Sequence, residues 1–138
     1  DAYDRSLALR YDNAMVLNNY AYFLSLEGRD LERALAMAGR AIVLEENNPT
    51  YLDTYAWVLY RLGRYDEAKK TMQQALSLDR SQSPDLQLHY GDILAALGEK
   101  FMAEVYWKKA LEGGYDDPDA IVERFRRLKE AAQTPAAP

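Results

Sequence analysis

The sequence predicts an all-α chain, a solenoid of stacked helix-turn-helix hairpins, on three observations. First, it repeats. Shifted by 35 residues, Tyr20, Tyr55 and Tyr90 coincide, as do Leu24, Leu59 and Leu94, and Gly28, Gly63 and Gly98. Pro49 then falls on Pro84, Ala68 on Ala103, and Ala75-Leu76 on Ala110-Leu111. A fixed period of this size marks stacked supersecondary units, because one such unit cannot bury its apolar face alone. Second, apolar residues recur at three- and four-residue steps. Leu52, Tyr55, Ala56, Leu59 and Leu62 have the spacing of one helix face. Third, the breaks carry helix-end residues: Asn48 as N-cap, Pro49 as first residue, Gly63 as a left-handed stop.

The clearest unit covers residues 49–78. Its second helix starts near Tyr65 and sets Ala68, Met72, Ala75 and Leu76 on one face. Ala56 and Ala68 stand where two helices joined by a tight turn must approach closely, and longer side chains there would force the pair apart. The residues Ala56, Gly63-Arg64-Tyr65, Ala68 and Ala75 give this unit a pattern that resembles the tetratricopeptide repeat, with Pro49 and Pro84 at the places where one repeat closes and the next opens. Leu52 replaces the tryptophan of the general pattern. The resemblance implies a right-handed solenoid whose first helices line a concave groove and whose second helices form the outer wall.

A single domain is expected over residues 1–132. Residues 1–12 align with the end of a second helix, Tyr3, Ser6 and Leu7 matching Ala38, Ala41 and Ile42. They read as a partial repeat, which predicts upstream repeats in a longer protein and self-association or fraying at this end. Repeat 1 spans 13–47, with Asn13 as cap of the first helix. Its turn holds one extra residue, since Ala34 follows Gly28 by six positions where Ala68 follows Gly63 by five. Asp30 is therefore the expected cap of its second helix, over about residues 31–45. Repeat 2 spans 48–82. Repeat 3 spans 83–115, with Ser83 as cap, Gly91 in place of alanine for a closer crossing, and Gly113-Gly114 as its stop. A capping helix is expected over 117–132, with Ile121, Val122, Phe125 and Leu128 inward and Glu123, Arg124, Arg127 and Lys129 outward. Residues 133–138 are expected to be disordered.

Composition narrows the chemistry. Of 138 residues, 49% are hydrophobic and 28% charged, so the chain is globular rather than disordered. It has no cysteine, which removes disulfides, thiol nucleophiles and thiolate metal sites. His89 is its one histidine, and no glycine-rich phosphate loop or nucleophile elbow is present. No catalytic residue, metal site or cofactor is therefore assigned. Asp85, His89 and Asp92 share a helix face, but two carboxylates and one imidazole on a solvated face make a poor closed metal site. The net charge of −5, without a Lys/Arg stripe, argues against nucleic acid. The one basic cluster, Arg124, Arg126, Arg127 and Lys129, reads as an exposed helix face.

The resemblance places Asn18, Asn19, Tyr22 and Ser25 on the groove in repeat 1. In repeat 2 it places Asp53, Thr54, Trp57, Tyr60 and Arg61 there, and in repeat 3 His89, Asp92 and Ala96. Aromatic residues off the core face mark contact surfaces, and Asn amides pair with both groups of a peptide backbone. The carboxylate-binding members of the family use Lys, Arg and Asn on the groove; here Arg61 is the only basic residue among those positions, so a carboxylate clamp is not expected. The expected function is a non-enzymatic interaction scaffold holding a neutral or basic peptide or partner helix. The alternative is a regulatory domain of an enzyme whose catalytic segment lies elsewhere. The run over residues 17–68 looks like bacterial members of the family, several of them envelope lipoproteins, which favours the cell envelope over the cytoplasm. No membrane insertion is expected, since no apolar run reaches spanning length.

Overall fold

The computed structural model describes residues 13–133. Among them are seven α-helices and no strand. These are α1 (Ala14–Glu27), α2 (Leu31–Leu44), α3 (Pro49–Arg61), α4 (Tyr65–Leu78), α5 (Pro84–Ala96), α6 (Lys100–Glu112) and α7 (Pro118–Gln133). The all-α class of tandem hairpins is as the period predicts. The partial repeat over residues 1–12 lies outside the described residues. So does the tail after Gln133, the residue that closes α7. The chain divides into two compact units, Asp1–Arg80 and Ser81–Pro138.

The hairpin turns are built alike. Gly28, Gly63 and Gly98 all take left-handed backbone, with φ of 68°, 80° and 82°. In each, the glycine N–H donates three residues back and the next N–H five residues back: Gly63 to Tyr60 O at 3.0 Å, Arg64 to Leu59 O at 2.9 Å. Those bonds satisfy the last helix carbonyls, and only glycine reaches the conformation without a Cβ penalty. Gly114, rather than Gly113, closes α6 in the same way, at φ 86°.

In the first unit Asn13 and Asn48 cap α1 and α3 as expected. Asn13 Oδ1 accepts from Val16 N at 3.0 Å, and Asn48 Oδ1 from Thr50 N and Tyr51 N at 2.9 and 3.2 Å. Asp30 differs from expectation. It stands at the N-cap place of α2, but at φ 51° and with no side-chain cap bond. The residue inserted in this turn is absorbed by a left-handed backbone, whereas a capping side chain needs extended backbone to reach the free N–H groups. Ser83 likewise precedes α5 without a side-chain cap bond.

Alanine fills the seams. Tyr20, Ala21, Leu24, Ala34, Ala38 and Val58 form one core cluster, and Ala14, Leu17, Ala41 and Tyr51 a second. In the next hairpin Ala56, Leu59, Ala68, Met72 and Ala75 are fully buried.

In the second unit the small and large residues are exchanged. A Cβ on Gly91 would lie 2.4 Å from Trp107 Cδ1. The indole therefore occupies the space that alanine fills at positions 21 and 56. The equivalents of Trp107 are Met72 and Ala38, so bulk on the second helix grows from repeat to repeat, and in the last one glycine on the first helix makes room for it. On α7, Ile121 is buried and Phe125 meets Trp107 edge-on at 5.6 Å. Two assignments on this helix are corrected. Val122 is 57% exposed, and Arg124 turns inward. At 100° per residue, 121, 124, 125 and 128 share a stripe, while 122 stands a quarter-turn away.

Candidate partner-binding face

The residues assigned to the groove fall into two groups by burial. Asn18, Asp53, Thr54, His89 and Asp92 are buried; Tyr22, Trp57 and Tyr60 are half-buried, and Asn19 and Arg61 exposed. A partner would meet mainly the second group, all of it in the first unit; Ala96, also assigned to the groove and exposed, belongs to the second.

That group is arranged around one cross-helix tie. Arg61, at the end of α3, donates from Nε to the Ser25 carbonyl near the end of α1, at 3.0 Å. A guanidinium there adds a second donor to a carbonyl that already accepts from Gly28 N, at the negative end of the helix dipole. Ser25 itself is fully buried, its hydroxyl donating to the Tyr22 carbonyl at 2.6 Å, so its side chain offers nothing to a ligand. One turn back from this tie are Tyr22 on α1 and Trp57 on α3. Trp57 stacks on Tyr60 at 4.6 Å and 18°, and Tyr60 leans on Tyr65 of α4 at 5.6 Å. Tyr65, the tyrosine of the turn motif, was not among the expected site residues. Its fixed place beside Gly63 was the signal that could have found it.

Asn18 lies one turn before Tyr22. Its Nδ2 is 3.5 Å from Asn19 Oδ1, and its Oδ1 is buried with no hydrogen-bond partner. Thr54 turns its hydroxyl back to the Thr50 carbonyl at 3.3 Å, the usual local alternative for a buried helical threonine.

In the second unit Asp92 is committed within the fold. Oδ1 accepts from Trp107 Nε1 at 2.9 Å and Arg124 Nε at 2.7 Å, and Oδ2 from Arg124 Nη2 at 2.9 Å. The basic cluster of α7 is also internally matched. Arg126 pairs with Glu123 and Glu130, and Arg127 Nε with Glu123 at 3.1 Å. No group of three or more His, Cys, Asp or Glu residues among those described could hold a metal ion, and no described helix is long and apolar enough to cross a membrane.

Known proteins match this architecture. A family model described as the tetratricopeptide repeat matches residues 49–81. A curated relative from Pseudomonas aeruginosa, the TPR repeat-containing protein PA4667, is 30% identical over 86 residues. The match covers 62% of this chain but 14% of that protein's length. Among solved structures, the Yersinia enterocolitica type III secretion translocator chaperone SycD is similar with a TM-score of 0.72 at 19% identity, over 89% of this chain and 96% of that one. The first TPR of Spaghetti (RPAP3), solved with an HSP90 peptide, SRMEEVD, is similar with a TM-score of 0.73 at 19% identity, over 88% and 94%. At such identities the structures speak for the fold. With residues 49–81 matched as a tetratricopeptide repeat, a curated repeat protein related in sequence and glycine-closed hairpins at a constant period, the chain is similar to tetratricopeptide repeat proteins and has their all-α fold.

Proposed function

We propose that this chain is a non-enzymatic protein-interaction scaffold that takes a neutral or basic peptide, or a partner helix, against Tyr22, Trp57 and Tyr60. The observation that carries this reading is the half-burial of the Trp57–Tyr60 stack. Rings that pack on each other hold a fixed surface, and half-exposed aromatic groups supply contact area at little cost in side-chain entropy. Arg61, the only cation of the group, is spent on the Ser25 carbonyl, which leaves an acidic peptide terminus without a free counter-charge. The Spaghetti domain was solved with an acidic peptide; the charge pattern here favours the opposite preference. The scaffold is read as part of a longer bacterial protein, in a cell-envelope assembly.

The test is a titration of the chain with neutral, basic and acidic peptides, followed by tryptophan fluorescence, beside a Tyr22→Ala/Trp57→Ala variant. Neutral or basic peptides should bind best, and the double variant should weaken them at least about tenfold. A preference for acidic peptides, or equal binding by the variant, would sink the reading.

A further inference from the structure

The outer side of α6 departs from the other second helices. Phe101 is 76% exposed and Leu111 38%, one near each end of the helix. At the place of Phe101 the preceding repeat has Asp66, a residue type suited to an exposed first turn. Glu104 and Lys108 between them are exposed as well, and so are Lys100 and Glu112 at the two ends. Positions 101, 104, 108 and 111 follow steps of three, four and three, the spacing of a seam along which two helices pack.

The two end charges are misplaced for a helix on its own. Lys100 stands at the positive N-terminal end of α6 and Glu112 at the negative C-terminal end, so each meets the unfavourable pole of the helix dipole. Among the described residues, no ion pair takes up Lys100, Glu104, Lys108 or Glu112.

We propose that a second copy of the chain docks its own α6 antiparallel on this seam, across a two-fold axis halfway between Glu104 and Lys108. In that register Phe101 meets Leu111 of the second copy, Glu104 meets Lys108, and Lys100 meets Glu112. Each pair occurs twice, because a two-fold interface uses the same face on both copies. Every contact is apolar on apolar or opposite in charge, and each end charge comes to lie beside the favourable pole of the facing helix. The alternatives are penalised. A parallel pair would oppose Glu104 to Glu104 and Lys108 to Lys108. Slipping the antiparallel pair by one turn would set Phe101 against Lys108 or Glu104 against Leu111. The other second helices lack the pattern. The seam places hold Asp66, Lys69, Gln73 and Leu76 in α4, where an acid would face a leucine. The interface is distinct from the N-terminal residues 1–12, the end at which the sequence places self-association. None of its residues belongs to the candidate partner-binding face, so each dimer holds two such faces. A 13-residue helix is only about 20 Å long, which makes the contact smaller than a permanent interface and the dimer dependent on concentration.

The experiment is sedimentation of the 138-residue chain over a concentration series, beside three variants. The native chain should pass from monomer to dimer below about 1 mM. Phe101→Asp, which copies the residue type of position 66, should weaken the dimer at least about tenfold. Glu104→Lys opposes like charges beside the axis and should weaken it by about as much. Combining Glu104→Lys with Lys108→Glu exchanges the charges and should bring the dimer back to within about threefold of the native one. All three positions are exposed, so circular dichroism should show native helix content throughout. A native chain that stays monomeric, a dimer that either single substitution leaves intact, or a combined variant no stronger than Glu104→Lys would each overturn the proposal.

Discussion

Arg124 grips the Asp92 carboxylate with two nitrogens, Nε to Oδ1 at 2.7 Å and Nη2 to Oδ2 at 2.9 Å, and so ties α7 to α5. Trp107 of α6 donates to the same Oδ1, which makes one carboxylate the joint of all three helices of the second unit. Breaking a buried pair costs about 3–5 kcal/mol, but Arg124 is 29% exposed and water can take over part of its role. Asp92→Asn should therefore destabilise the second unit by about 2 kcal/mol in urea unfolding. Arg124→Lys should show a loss of its own, since an ammonium cannot reproduce the two-pronged contact. A change below about 0.5 kcal/mol would show the pair to be incidental.

The Gly91–Trp107 exchange predicts a non-additive pair. Gly91→Ala places a Cβ against the indole and should cost about 2 kcal/mol as the ring is displaced. In a Trp107→Met background, which restores the Ala56–Met72 combination of the preceding repeat, the same change should cost little or stabilise. The coupling expected from a double-mutant cycle is about 1–2 kcal/mol. Additive costs would mean that the two positions do not share one volume.

Most of the fold was legible because each level of the sequence agreed. The 35-residue period, the caps at Asn13 and Asn48 and the glycine stops at positions 28, 63 and 98 all specify local backbone, and all stand as read. What resisted reading were contacts between residues far apart in sequence. Arg124 looks like a surface arginine until α7 docks, and only its place on the 121–125–128 stripe hints otherwise. Asp30 looked like a cap because residue type suggests one, but the inserted residue decides its backbone angle. The candidate face was half legible. Periodicity separates core from non-core, yet it does not say that Asn18, Asp53 and Thr54 lie too deep to meet much of a partner, or that Arg61 is held by Ser25.

Gln82 holds a left-handed backbone at φ 52°, the equivalent of Asn47 at φ 64° one repeat earlier. Asparagine visits this region readily, but glutamine does so at a cost of order 1 kcal/mol. The side chain is exposed, so little packing opposes its removal. Gln82→Gly should stabilise the protein by about 0.5–1 kcal/mol, measured as a rise in urea midpoint at unchanged slope. Asn47→Gly should change it far less. A destabilised Gln82→Gly variant would mean that the glutamine makes contacts that outweigh its backbone strain.

Glu123 carries the last prediction. Its carboxylate accepts from Arg126 and from Arg127 one turn along α7, and Arg126 above all holds its pKa down to about 2 from an ordinary 4.5. A depressed acid pKa contributes stability that is fully present above the unfolded value and disappears as pH falls through the folded one. The contribution of Glu123 should thus be complete above about pH 4.5 and fade toward about pH 2. Because the group is exposed, salt should erase it as acid does. Amide exchange along α7 in the native protein and in Glu123→Gln separates this residue from the other carboxylates, which titrate equally in both. The two proteins should differ at pH 6 in low salt and converge at pH 2 or in roughly 1 M salt, where the Debye length shrinks to about 3 Å. A difference that persists in acid would mean that Glu123 acts through packing rather than through its charge.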